Sequence, residues 1–210
     1  MSSIFSLLIL AAMATPTSGS RDTDAVEIYH CNFDQQFGQA ADVNYDDWPD
    51  HWKRAVGPNY PHYVAIGLEA DPTATAERCL TIYANGGNAA VESPTIAVSR
   101  NFSYVAETRL RVSGLEHSRV RLTLEFCDED RQVLVSEHSD WIRQTTGWKK
   151  VVMGPVKLED LDVRLVRIKM TLEEGARVDL SGTASLDEVW IARLPKLTVK
   201  TNNPFNIYTD

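Results

Sequence analysis

The sequence predicts an all-β sandwich of two antiparallel sheets, on three observations. Apolar residues recur with a period near two through most of residues 26–193. These runs are short and are separated by Gly, Pro, Asn and Asp punctuation. No stretch in that span carries the three-to-four-residue apolar spacing of a helix of convincing length.

The chain opens on a segment of another kind. Residues 1–20 hold no charged side chain, and Ile4 to Ala14 form an apolar run broken only by Ser6. As a helix that run would reach only about 16 Å, against a hydrocarbon core of roughly 30 Å, so it is too short to span a bilayer. Followed by Ala12-Met13-Ala14 and a Thr/Pro/Ser/Gly stretch, residues 1–20 read as a signal peptide, although no Lys or Arg marks its start. The expected location is secreted or cell envelope.

The body spans residues 24–195. Its clearest strand is 102–112, where Phe102, Tyr104, Ala106, Thr108, Leu110 and Val112 share one face. Ser103, Glu107, Arg109 and Arg111 share the other, with Val105 an exception. The next run repeats the pattern: Val120, Leu122, Leu124 and Phe126 alternate with Arg119, Arg121, Thr123 and Glu125. Further strands are expected at 26–33, 62–69, 78–84, 90–98, 132–137, 147–153, 164–172 and 183–193, roughly ten in all. Short helical turns fit near Asp71 to Glu77 and Leu158 to Leu161. Trp141, Trp148 and Trp190 sit in or beside apolar strand patterns and are expected to pack in the core or between sheets.

The segment from Asp34 to Pro61 interrupts this rhythm. It is longer than ordinary connections and carries Phe37, Tyr45, Trp48, Trp52 and Tyr60. Residues 196–210 turn polar and read as a linker or the start of a further domain.

Asp and Glu outnumber Lys and Arg 29 to 21, for a net charge of −8. Such a surface repels phosphate backbones, so a nucleic-acid partner is not expected. Three cysteines, Cys31, Cys79 and Cys127, allow one internal disulfide at most, and spacing does not choose among the three pairings.

The order of several short features resembles the galactose-binding-like jelly rolls, especially carbohydrate-binding modules of the family 4/9 type. These features are Asn32-Phe33-Asp34, Leu80-Thr81-Ile82, Ser93-Pro94-Thr95-Ile96, Tyr104, Gly114-Leu115, Thr146-Gly147-Trp148 and Leu186-Asp187-Glu188-Val189. With Tyr45 to Trp52 (YDDWPDHW), the sequence also resembles the N-terminal module of large extracellular planctomycete-type proteins. The resemblance implies a jelly-roll sandwich, a binding or architectural role rather than an enzyme, and a structural calcium ion between the first and last strands. Asp34 and Asp187 are the matching metal positions.

No catalytic motif competes with this. Glu137-His138-Ser139-Asp140 has the side chains of a nucleophilic triad, but neighbours on an extended chain point to opposite faces. Asp42-Val43-Asn44-Tyr45-Asp46 begins like a calcium loop, then fails at Asp47 and Lys53, where an EF-hand needs Gly and Glu. Tyr45, Trp48, Trp52 and Tyr60, with Tyr63, are ring types that stack on sugars, and they would equally pin a long loop to the sandwich. Arg109, Arg111, Arg121, Arg167 and Lys169 would gather on one sheet if their strands are neighbours, and forked guanidiniums suit carboxylate or sulfate groups. An exposed sheet face laced with ion pairs is the plainer alternative.

The sequence therefore predicts a noncatalytic extracellular module binding a polysaccharide or other glycan, anionic in one version. Its expected contacts are Tyr45, Trp48, Trp52, Tyr60, Arg109 and Arg121. An architectural or protein-interaction domain is the first rival. A glycan-cleaving enzyme with two carboxylates facing across a cleft is the second.

Overall fold

The computed structural model describes residues 24–34, 42–44, 46–71, 77–159 and 162–196. Residues 1–20, Tyr45, the tail from 197 and most of the two proposed helical turns lie outside them. The described residues form twelve strands and no helix. In chain order these are β1 (Val26–Cys31), β2 (Lys53–Arg54), β3 (Ile66–Ala70), β4 (Arg78–Tyr83), β5 (Ala89–Glu92) and β6 (Ile96–Ala97). They continue with β7 (Phe102–Ser113), β8 (Arg119–Cys127), β9 (Val133–His138), β10 (Lys149–Lys157), β11 (Leu165–Glu173) and β12 (Thr183–Pro195).

Two antiparallel sheets result. One runs β10-β7-β12-β4-β3, with β1 beside the far half of β12; the other runs β2-β5-β11-β8-β9, with β6 beside the start of β11. The alternation predicted for β7 and β8 holds. Tyr104, Ala106, Leu110 and Val112 from the first sheet meet Val120, Leu122, Leu124 and Phe126 from the second, all fully or almost fully buried. The predicted 90–98 strand is two strands, because Pro94 has no N–H to give the ladder. Ser93 keeps the break in line: its N–H donates to the Ile168 carbonyl (2.9 Å) and its hydroxyl accepts the Ile168 N–H (3.0 Å).

The step from β7 to β8 decides what each outer face carries. Consecutive strands of this pattern can pair as a hairpin or cross to the opposite sheet. Here they cross. Gly114 turns the chain at φ 71°, Leu115 dips into the core, and buried Asp179 accepts the N–H groups of His117 (3.0 Å) and Ser118 (2.7 Å). Those bonds hold the Asp179 carboxyl below its usual range despite the burial that opposes its charge.

All three cysteines are free thiols; Cys31 and Cys79 belong to the first sheet and Cys127 to the second.

Candidate functional site

The crossing corrects the expected cationic cluster. Arg109 and Arg111 lie on the outer face of the first sheet, whereas Arg121, Arg167 and Lys169 lie on the outer face of the second. A single ligand on one face meets only one set.

On the first sheet, Arg111 donates to buried Asp71 (2.9 Å), which also accepts the Trp148 indole N–H (2.8 Å). Both Arg111 and Arg109 lie against the Trp148 ring, at 4.6 and 5.2 Å from its centre. Arg109 reaches toward Asp187 at 3.5 Å. This is a closed cluster rather than an open surface.

The aromatic segment is likewise committed to packing. Trp52 is 5% exposed and tilts against Phe33 at 5.1 Å in the core. Trp48 is half-buried and donates its indole N–H to the Trp52 carbonyl (3.0 Å). The polar groups around them cap the backbone. Asp42 accepts the N–H groups of Asp46 (3.1 Å) and Asp47 (3.0 Å), and Asp46 accepts that of Trp48 (3.0 Å). Arg78 then ties the turn to β4 through Asp47 (2.8 Å). The Asp42–Asp46 oxygens thus serve local turns.

Tyr60 is placed differently. A tight turn from Gly57, at φ 142°, returns the chain at Tyr60, and Arg54 fixes it by donating to the Pro61 carbonyl (2.7 Å). The Ala55 N–H donates to Ala90 of β5 (2.9 Å), which sets this turn at the margin of the second sheet. There Tyr60 lines a hollow of about 280 Å³ with Asn88, Arg121, Thr123, His138 and Thr171. A second hollow of about 360 Å³ on the same face is lined by Lys53, Ser93, Thr95, Arg131 and Arg167.

Between the two hollows lies a four-member charge network. Arg167 bonds Glu125 (2.7 Å) and Glu92 (2.9 Å), and Lys169 approaches Glu92 (3.3 Å) and Glu125 (3.9 Å). Burial works against the Arg167 charge, but the Glu125 bond and the attraction of both carboxylates raise its pKa above the ordinary value. The face is thus a polar groove crossing β5, β11, β8 and β9. A wider hollow of about 750 Å³ opens between β1 and the 43–52 segment, but the Trp52 ring turns into the core there and presents no stacking face.

Trp141, expected to pack in the core or between sheets, is corrected. It lies half-buried on the second sheet, with Arg119 and Arg121 at 4.2 and 4.4 Å from its ring centre. Its neighbour Ile142 exchanges two 2.7 Å backbone bonds with Val120 and turns inward, so Trp141 turns out over β8. Trp148 is corrected too, whereas Trp190 is buried as expected. Trp148 covers the first sheet, and Trp190 is 4% exposed with its indole bonded to Glu27 (2.8 Å).

Asp34 and Asp187 meet where β1 leaves the edge of β12 and β4 takes over. Asp34 accepts the Arg78 N–H (2.9 Å) and the Asn32 side-chain amide (3.1 Å). Asp187 has one buried carboxylate oxygen without a partner. Burial first, then repulsion from Glu188 and Asp34, outweigh a Glu188 backbone bond and Arg109 and push its pKa up to about 7. An unsatisfied carboxylate beside another carboxylate fits a hard cation. No cluster of three or more His, Cys, Asp or Glu with metal-holding geometry occurs among the described residues, so further ligands would come from other groups.

No family model matches the sequence, and no sequence relative was found among curated proteins. Solved structures do match the sandwich. An apo-form cyclase from Fischerella sp. aligns with a TM-score of 0.56 at 18% identity, over 84% of this chain and 100% of that one. A carbohydrate-binding module of the β-sandwich superfamily aligns with a TM-score of 0.51 at 14% identity, over 70% of this chain and 59% of that one. The fold is an all-β jelly-roll sandwich. The enzymatically active domain of tailspike protein 4 from bacteriophage CBA120 contains a similar region, at TM-score 0.52 and 11% identity. This chain spans 20% of that structure. At such identities the likeness establishes the jelly roll and leaves activity to the site.

Proposed function

We propose that this jelly roll is a noncatalytic carbohydrate-binding module that seats a glycan chain in the groove on the outer face of the second sheet. One observation carries the reading. The groove places a ring, Tyr60, and amide, hydroxyl and imidazole groups of Asn88, Thr123, Thr171 and His138 around one hollow. A sugar presents an apolar ring face to the first and hydroxyls to the others. The carboxylates in the groove support binding over hydrolysis, since Glu125 is tied to Arg167 and Glu173 to Arg119 (2.8 Å), leaving neither placed as a proton donor. The same reading includes export by residues 1–20, the family 4/9 and planctomycete-type affiliations, and calcium at Asp34 and Asp187.

Affinity electrophoresis against neutral and anionic polysaccharides, with and without calcium, tests it. Wild-type protein is expected to be retarded by at least one, and Tyr60→Ala to weaken that retardation about tenfold or more, about 1.4 kcal/mol. Release of reducing sugar from the retarding polysaccharide would overturn the noncatalytic part. Absence of retardation across the panel would overturn the whole, in favour of an architectural domain, a role that the buried Trp52 and half-buried Trp48 also fit.

A further inference from the structure

The two central strands of the second sheet, β8 and β11, pair their outward cations with carboxylates, with one exception. β8 and β11 together carry four cationic side chains: Arg119, Arg121, Arg167 and Lys169. Three have carboxylate partners. Arg119 bonds Glu173 at 2.8 Å, and Arg167 and Lys169 share Glu92 and Glu125. Arg121 has none among the described residues, although it lines the hollow beside Tyr60.

Arg121 is also held in place. Its guanidinium lies 4.4 Å from the centre of the Trp141 ring, which fixes the plane of the fork without consuming its hydrogen bonds. Its Nε is buried and makes no hydrogen bond, so the fork it can offer a ligand is the pair of terminal amino groups. Beside it on the same face, the Thr123 hydroxyl is paired with His138 Nδ1 at 3.0 Å, so both are positioned groups at the same hollow.

We propose that Arg121, backed by Trp141, is an anion-reading subsite within this groove, and that the glycan it selects has a neutral backbone bearing isolated carboxylate groups. The inference rests on the carbohydrate-binding reading of the same face. The sparse charge follows from the surroundings. A dense polyanion would set successive negative groups against Glu173, Glu125 and Glu92, on a protein of net charge −8. A single uronate among neutral sugars meets one free fork and polar neighbours. A planar carboxylate accepts two parallel N–H bonds from that fork.

The test compares matched polysaccharides by affinity electrophoresis: carboxymethyl cellulose of low substitution against hydroxyethyl cellulose, and glucuronoxylan against arabinoxylan. Polygalacturonate and dextran sulfate serve as dense carboxylate and dense sulfate polyanions. Wild-type protein is expected to bind the carboxyl-bearing member of at least one pair at least tenfold more tightly than its neutral partner, and more tightly than either dense polyanion. Arg121→Gln should abolish that preference, so that the carboxyl-bearing and neutral members of the pair bind equally, with folding checked by its thermal transition. Arg121→Lys, a point charge without the fork, should retain only part of it.

Equal binding within both pairs, or a preference that survives Arg121→Gln, overturns the subsite and leaves the glycan-binding groove standing. Tighter binding of dextran sulfate or polygalacturonate overturns the sparse-charge assignment. No binding of any member overturns both readings together.

Discussion

Replacing Asp187 by Asn should remove a pH dependence that this one carboxyl imposes on folding. Its pKa is pushed from an ordinary 3.8 up to about 7, chiefly by burial at 4% exposure, with Glu188 and Asp34 adding repulsion. Between those values the folded chain holds a proton that the unfolded chain has released. Its stabilisation is therefore fully present below about pH 4 and is lost as pH rises through about 7. The rise is roughly three pH units, and at about 1.36 kcal/mol each the loss is about 4 kcal/mol. Asn is neutral throughout and nearly the same shape.

In protein freed of metal by chelation, urea unfolding at pH 4 should give similar stabilities for wild type and Asp187→Asn. At pH 8 the variant should be more stable by about 4 kcal/mol, about 2 M in midpoint at a slope of about 2 kcal/mol per molar. Stability curves that stay parallel from pH 4 to pH 8 would refute the electrostatic argument. Calcium supplies the second arm. If it binds the Asp34–Asp187 pair, millimolar calcium at pH 8 should raise the wild type and leave the variant unchanged, because only a ligand bound to the folded form shifts the transition.

Two further outcomes follow from the packing. Replacing buried Asp71 by Ala strips half-buried Arg111 and the Trp148 indole of their shared acceptor and should cost about 3–5 kcal/mol, read by the same urea transitions. A cost below about 1 kcal/mol would mean that this cluster does not hold β3, β7 and β10 together. Trp52→Ala should cost about 3–5 kcal/mol through the cavity left against Phe33, yet leave polysaccharide retention unchanged at a temperature where the variant is folded. Lost retention in a folded Trp52→Ala protein would return the 42–52 segment to the binding surface.

The sequence by itself determined the long strands and the side of each that turns inward, though not the two-residue β2 inside the Asp34–Pro61 segment. That periodicity is local: alternate residues of an extended chain face opposite ways whatever the neighbouring strand. Tyr104, Leu110, Leu122 and Phe126 are buried as their alternation predicts. The break at Pro94 splits a run expected as one strand over 90–98, although its cause, a missing N–H, is local.

Only the tertiary structure decided which outward residues share a surface. Arg109 and Arg121 have the same pattern on consecutive strands, yet the Gly114–Ser118 crossing puts them on opposite faces of the sandwich. Pairing partners are chosen across long separations, so alternation carries no record of them. Arg121 illustrates the consequence. Its distinction from Arg167 lies in pairing: β11 sets Arg167 opposite Glu125 and next to Glu92 of β5, while the connection before β10 lays Trp141 on Arg121, and this strand order is absent from the local pattern of β8.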